Sequence, residues 1–391
     1  MDATDAREPI ALPVPVVDPG LRRCRLQFSG AGGEYFQIWI VNLLLTIATL
    51  GIYSAWAKVR KLQYFYRNTQ LDGSVFDYHG NPVAILKGRI LAVLMFVLYK
   101  MALVQFGAFA LVVLLGLMAV VPWLLTQSYR FRLHNSSYRG LRFGFSGPVW
   151  QAYLIFGLPM VMVLAPGAMA ALGLGGDPKH PDLRLLIGIG LAYVALMLLW
   201  PYLHFCFKRW QHGHASYGAA RARFEAPVWD FYVPYVLASV MMFVVVLVGG
   251  VLISGFSFAA APGHGQSRGV GAAAIATVII FYGAMLAAAP LVSAWIQNAV
   301  WSNTRLEAVG FASDVRAGRL IGITLGNLAM VLVSLGLLIP FAVMRLMKYK
   351  IESIEVLDAD AVARIAGDGQ GAEVGTAGEG AMDVLDLDFG L

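Results

Sequence analysis

The sequence predicts an all-α polytopic membrane protein of internally repeated helix pairs: six spans, two terminal re-entrant or spanning segments, and short cytoplasmic β-hairpins. Three observations carry that prediction. Apolar residues make up 59% of the 391-residue chain and charged residues only 13%, with a mean hydropathy of +0.68. Soluble domains are nearer half apolar and a quarter charged. Several apolar runs reach the roughly 18–20 residues that cross a hydrocarbon core. One thirteen-residue spacing then recurs five times along the chain.

The repeat sets the register for everything else. Pro122, Pro201, Pro290 and Pro340 each fall late in an apolar run, and Ala55 holds the same place in the first copy. Thirteen residues on stand Asn135, His214, Asn303, Ser353 and Asn68. Sixteen residues on, the position is apolar each time: Tyr138, Tyr217, Leu306, Val356 and Leu71. A spacing this regular marks one supersecondary unit copied along the chain. Asn at the end of a basic helix suits a C-cap in left-handed geometry.

The membrane runs follow in order. The first, 36–57, is matched by the last, 320–344: Asn42, Leu50, Gly51, Arg60 and Tyr64 correspond to Asn327, Leu335, Gly336, Arg345 and Tyr349 at one constant offset. Basic residues flank the last run on both sides, so a re-entrant hairpin with legs of about ten residues, roughly 15 Å deep, satisfies the charge rule. A plain span for each terminal run is the alternative, giving eight crossings. Between them, the run 89–128 divides near Gln105–Gly107 into two spans. The runs 149–172, 183–207, 228–253 and 270–299 make four more.

Charge orients the chain. Residues 351–391 hold ten acidic residues and one basic, leaving a net +15 on the remainder of a chain whose total is +6. Short Lys/Arg-rich loops stay cytoplasmic, which places the proline-ended helices and both termini inside. Lys58, Arg60, Lys61, Arg130, Arg132, Lys208, Arg209, Arg345 and Lys348 are candidate headgroup contacts, since juxtamembrane cations gather anionic lipids. Their position beside the membrane runs argues against a nucleic-acid surface. Two cysteines, Cys24 and Cys206, provide no disulfide framework. Ile10–Val17, broken by Pro13 and Pro15 and lacking a charged start, does not read as a signal peptide.

The chain therefore divides into an N-terminal cytoplasmic segment (1–33), a repeated membrane domain (34–350) and an acidic, largely disordered tail (351–391). Asn68 to Phe76, Asn135 to Phe143 and Asn303 to Phe311 share one pattern, alternating apolar and polar residues about an Asp-Gly, Arg-Gly or Glu-Ala break. Each reads as a β-hairpin, and Arg25–Ser29 as a further strand.

The stretches Glu34 to Thr46, Leu50 to Arg60, Tyr64 to Gly73 and Tyr78-His79-Gly80 resemble the YjgN-like family of bacterial inner-membrane proteins, over roughly residues 22–357. The resemblance implies a multi-pass protein of the bacterial inner (plasma) membrane. The family is a domain of unknown function, so the resemblance implies no catalytic or binding residues.

Chemistry is sparse. His204, Cys206, His212 and His214 form the most metal-like group, but residues two apart on a helix point to different sides and no second pair completes a tetrahedral set. No nucleophile-elbow, phosphate-loop or zinc-protease motif occurs, so neither a cofactor nor a catalytic activity is expected. Asn42 and Asn327 are the candidate polar membrane site, because amides inside bilayer segments are costly; helix–helix hydrogen bonding is the simpler reading of both. Two functional readings stand open. One is a conduit or transporter for a small solute or lipid. The other is a non-catalytic envelope scaffold that binds a cytoplasmic protein partner.

Overall fold

The computed structural model describes residues 22–106, 109–171, 176–177, 180–181, 183–259 and 267–370. Ile10–Val17 and the acidic tail from 371 onward lie outside the described residues.

The chain folds as five copies of a strand–helix–helix–strand unit. Strands β1 (Cys24–Arg25) and β2 (Gln27–Phe28) lead into α1 (Gly32–Ala48), α2 (Ser54–Arg67) and β3 (Thr69–Leu71). The second unit is β4 (Ser74–Tyr78), α3 (Pro82–Phe106), α4 (Phe109–His134) and β5 (Ser136–Tyr138). The third runs β6 (Leu141–Phe145), α5 (Val149–Ala152), a π turn (Tyr153–Gly157), α6 (Leu158–Ala171), the small ribbon β7 (Gly176–Asp177) and β8 (His180–Pro181), α7 (Leu183–Gly213) and β9 (Ala215–Tyr217). The fourth is β10 (Ala220–Phe224), α8 (Trp229–Ala259), α9 (Ser267–Ser302) and β11 (Thr304–Leu306). The fifth is β12 (Val309–Ser313), α10 (Ala317–Val333), α11 (Ile339–Glu352) and β13 (Ile354–Val356), followed by α12 (Ala359–Gln370).

This corrects the predicted fold class in two respects. The hairpins are not separate caps on an all-α body. They join edge to edge into one eleven-stranded antiparallel sheet, in the order β1-β13-β12-β11-β10-β9-β6-β5-β4-β3-β2. Its two ends, β1 and β2, are parted only by Leu26, whose amide donates to Ile354 O at 3.0 Å. The sheet thus closes on itself. Cys24 and Arg25 face Val356 and Glu355 in the register by which Ser74 and Val75 face Leu71 and Gln70. Gln27 and Phe28 meet Gln70 and Thr69 as Asp77 and Tyr78 meet Ser137 and Ser136. The N-terminal strand is therefore the missing half of a fifth hairpin, and closure leaves no free edge to recruit another chain.

The second correction concerns the spans. Five helical segments among the described residues are long and apolar enough to cross a membrane: Pro82–Ala102, Val113–His134, Leu183–Gly213, Trp229–Leu252 and Ala274–Ser302. In the expected sixth, 149–172, the apolar helix Val149–Leu164 falls short of that length and contains the π turn. Pro159 lies just beyond it; a proline has no N–H, and its ring pushes away the carbonyl four residues back.

The two terminal helix pairs are twins in detail. Each has a 17-residue first helix and a 14-residue second, roughly 25 and 21 Å long rather than the expected 15 Å. Their tips turn through left-handed Leu50-Gly51 (φ 50°, 94°) and Leu335-Gly336 (φ 51°, 91°). Leu50 and Leu335 are 95% and 94% exposed, apolar groups that a bilayer would cover. The start of each first helix is tied to its partner: Ala31 N and Arg316 N donate to Tyr64 OH of α2 and Tyr349 OH of α11 at 2.9 and 2.8 Å.

The recurrent polar residue closes each second helix. Asn68, Asn135 and Asn303 donate Nδ2 to the carbonyl four residues back at 2.8, 2.9 and 2.8 Å. His214 Nδ1 and Ser353 Oγ bond the same carbonyl at 3.0 and 2.6 Å. The main chain differs from expectation, because Asn68 and Ser353 lie at φ −93° and −80°, not in left-handed geometry. The side-chain bond, rather than a left-handed turn, satisfies the carbonyl. The cap residue's own carbonyl then accepts from Ser29, His79, Ser146, Glu225 or Asp314 at 2.8–3.1 Å, locking helix to sheet in all five units.

Left-handed residues appear instead in the two-residue turns, at Asp72-Gly73, Arg139-Gly140, Gly218 and Glu307, as tight hairpins require. Inside the ring the repeated apolar positions form one core: Leu71, Tyr138, Tyr217, Leu306 and Val356, with Leu26, Phe76, Phe143, Ala222 and Phe311. Tyr217 OH donates to Tyr138 O at 2.9 Å, and Tyr138 OH to Leu71 O at 2.7 Å, stitching successive units. Helix α12 lies across this core, burying Ala361, Val362 and Ala366 and packing on both β6 and β12. Asp358 Oδ1 caps its start through Ala361 N at 2.9 Å. Ordered chain thus extends to Gln370, past the boundary at 351 drawn for the tail. The long helices close their own circle, each packing on its neighbours in the chain and α11 on α1.

Candidate ligand chamber

A helix presents positions i, i+3 and i+4 on one face. Counted from the repeated proline, positions 7, 10 and 11 of each second helix form such a face. Position 11 (Tyr66, Leu133, His212, Trp301 and Ile351) lines one chamber from all five units. Position 7 adds Tyr129, Lys208, Gln297 and Met347, and position 10 adds Arg132, Gln211, Val300 and Lys350. Ring residues Phe76, Phe143, Tyr217, Leu306 and Phe311 close the sheet end. Away from the sheet the wall is Tyr235, Ala238, Met285, Ala288, Ala289 and Val292. Met285 lies seventeen residues before Ser302, the end of α9, so the chamber reaches roughly 25 Å from the ring. Its volume is about 1160 Å³, somewhat above the usual range of about 300–1,000 Å³ for ligand sites.

The polar groups cluster within about three turns of the sheet. Lys208 Nζ donates to Gln211 Oε1 at 3.0 Å, Lys350 Nζ to Ser293 Oγ at 2.8 Å, and Gln297 Nε2 to Lys350 O at 2.9 Å. His204 Nδ1 pairs with Tyr235 OH at 2.9 Å. Burial lowers the Lys350 ammonium below its usual value. Burial, with Tyr138 beside it, pushes the Tyr217 phenol up to about 12. Arg132, Lys208 and Lys350 supply three cations, and no Asp or Glu is among the residues lining the chamber. Such a site can hold an anion joined to an apolar body.

The family model described as bacterial protein of unknown function (DUF898) matches residues 23–384. The chain belongs to that family. It is also similar to three proteins called inner membrane protein YjgN. The Salmonella typhimurium protein is 34% identical over 145 residues, 36% of each chain. That of Escherichia coli O157:H7 is 31% identical over 151 residues, again 36% of each. That of Escherichia coli K12 is 28% identical over 176 residues, 43% of this chain and 42% of the relative. The chain thus matches less than half the length of these curated relatives. No solved structure matches it. With five helices able to cross a bilayer and these relatives, it is a multi-pass protein of the bacterial inner membrane.

Within this DUF898 protein, the nine candidate headgroup cations separate. Arg132 and Lys208 line the chamber, whereas Lys58, Arg60, Lys61, Arg130, Arg209, Arg345 and Lys348 do not. Arg60 reaches Tyr53 OH at 3.1 Å, Arg130 reaches Gly147 O at 3.3 Å, and Lys348 pairs with Glu352 at 3.9 Å. Lys350, Gln211 and Gln297 were absent from the sequence-based set, although their register from the proline carried the signal. Asn42 and Asn327 are buried outside the chamber, in α1 and α10. Asn327 Nδ2 donates to Ala342 O of α11 at 2.8 Å, while Oδ1 of both amides lacks a hydrogen-bond partner among the described residues. Of the His/Cys group, His204 and His212 line the chamber, and His212 lies edge-on to Trp301 at 5.7 Å. His214 is a helix cap.

Proposed function

We propose that this inner-membrane protein is a non-catalytic conduit for a lipid or small amphipathic solute, with the axial chamber as its substrate site. One observation carries the reading: the centre of the bundle is hollow over roughly 25 Å, apolar along most of its wall and basic at the sheet end. A filled Leu/Val core would favour the scaffold reading, and a polar path throughout would suit a hydrophilic solute. The chamber is neither. The outward-facing Lys61, which does not line the chamber, would draw anionic headgroups to the sheet end. The test is reconstitution into liposomes with a fluorescent short-chain phospholipid whose inner-leaflet fraction is followed by dithionite quenching. The purified protein should accelerate equilibration, and Ala289→Trp, which fills the apolar wall, should abolish the acceleration. Wild-type protein that leaves the lipid-only rate unchanged refutes the reading.

A further inference from the structure

We propose that Arg132, Lys208 and Lys350 form a binding site for the phosphate head of an anionic amphiphile whose apolar part occupies the deeper chamber. The inference deepens the conduit reading by naming the substrate class.

The three cations come from three helices, α4, α7 and α11, and each points into one space. Lys208 lies within electrostatic reach of both of the others. Arg132 is exposed, while Lys208 and Lys350 are partly buried, where like charges repel and lose hydration and proteins keep such groups beside counter-ions. None of the three has one here. Lys208 and Lys350 contact the neutral Gln211 and Ser293, and Arg132 forms no side-chain hydrogen bond or ion pair with another described residue. Carboxylates are available to cations elsewhere, as in Arg139–Asp72 at 2.9 Å and Arg67–Asp77 at 2.9 Å. No carboxylate lines the chamber.

A ligand must therefore bring the negative charge. A phosphate monoester carries about −1.5 to −2 and three acceptor oxygens directed differently, which suits an Arg fork and two ammonium groups on separate helices. A carboxylate offers two oxygens and one charge. The neighbouring wall decides the rest of the molecule: Ala238, Met285, Ala288, Ala289 and Val292 offer an acyl chain apolar contact and offer a free phosphate nothing.

Full-length protein in dodecyl-maltoside micelles is titrated calorimetrically with dioctanoyl phosphatidic acid. Dioctanoyl phosphatidylcholine and inorganic phosphate are run in parallel. Phosphatidic acid should saturate one site, with both comparison ligands about tenfold or more weaker. Lys208→Gln and Lys350→Gln should each weaken it about tenfold, Lys208→Arg should restore it to within about threefold, and the exposed Arg209→Gln should leave it unchanged. The proposal is overturned if Arg209→Gln costs as much as Lys208→Gln, which would mean diffuse surface attraction. It is equally overturned if phosphatidylcholine or inorganic phosphate matches phosphatidic acid, or if Lys350→Gln and Lys208→Gln with wild-type gel-filtration and tryptophan-fluorescence profiles bind normally. Protein that binds as expected but moves no lipid in liposomes loses the conduit reading and keeps the site.

Discussion

Leu26→Pro tests ring closure at its one covalent junction. Leu26 N donates to Ile354 O at 3.0 Å, and Ile354 is buried. Proline removes the donor and leaves a buried carbonyl unsatisfied, a cost of about 1–3 kcal/mol. The Leu26 side chain also packs on the ring core, and trimming it adds about 1 kcal/mol. The closing strand should thus open more readily by about 2–4 kcal/mol, which speeds hydrogen exchange of the flanking amides Arg25 and Gln27 by roughly 30- to 1000-fold. Exchange followed by mass spectrometry on detergent-solubilised protein reads this directly. The distant β6–β9 pairing, held by Phe143, Gly144 and Phe145 against Tyr217, Ser216 and Ala215, should keep its protection. Unchanged exchange at residues 25–27 would refute closure through Leu26. An equal rise at β6–β9 would instead show that the ring opens only as a whole.

Asn327→Leu removes the α10–α11 hydrogen bond and should cost about 1 kcal/mol in a denaturation series without altering lipid movement; a transport defect in a stable variant would return Asn327 to the substrate path. Val362→Asp places a charge in the ring core under α12, so limited proteolysis should cut residues 357–370 faster while cleavage elsewhere stays constant, and unchanged cutting would show that α12 does not depend on that face. The raised Tyr217 phenol favours the folded ring, a contribution fully present below the ordinary phenol value of about 10 and lost as pH rises through about 12. Titration of phenolate absorbance should therefore lose one late-ionising tyrosine in Tyr217→Phe, and identical titration curves would show that Tyr217 is not among the late ones.

Local chemistry made much of this molecule legible in one dimension. Asn68, Asn135 and Asn303 announced helix ends because an amide can close a carbonyl four residues back. Asp72-Gly73 and Arg139-Gly140 announced tight turns because few residues accept left-handed geometry. The constant offset between Asn42 and Asn327 exposed twin helix pairs. Less local features stayed hidden. The π turn Tyr153–Gly157 beside Pro159 is one, because hydropathy averages over backbone hydrogen bonds. Helix α12 draws its apolar face from small residues, four Ala with Val362 and Ile365, and is ordered by the ring core it covers.

The sequence by itself determined the repeated unit, its register and its residence in a membrane, since each depends on spacing and composition within a unit. Tertiary structure alone decided that the five units close into a ring through Leu26, and that Arg132, Lys208 and Lys350 share one chamber. Strands β1 and β13 lie more than three hundred residues apart, and a cation on a helix is directed to lipid or to the axis only when neighbouring helices take their places around it.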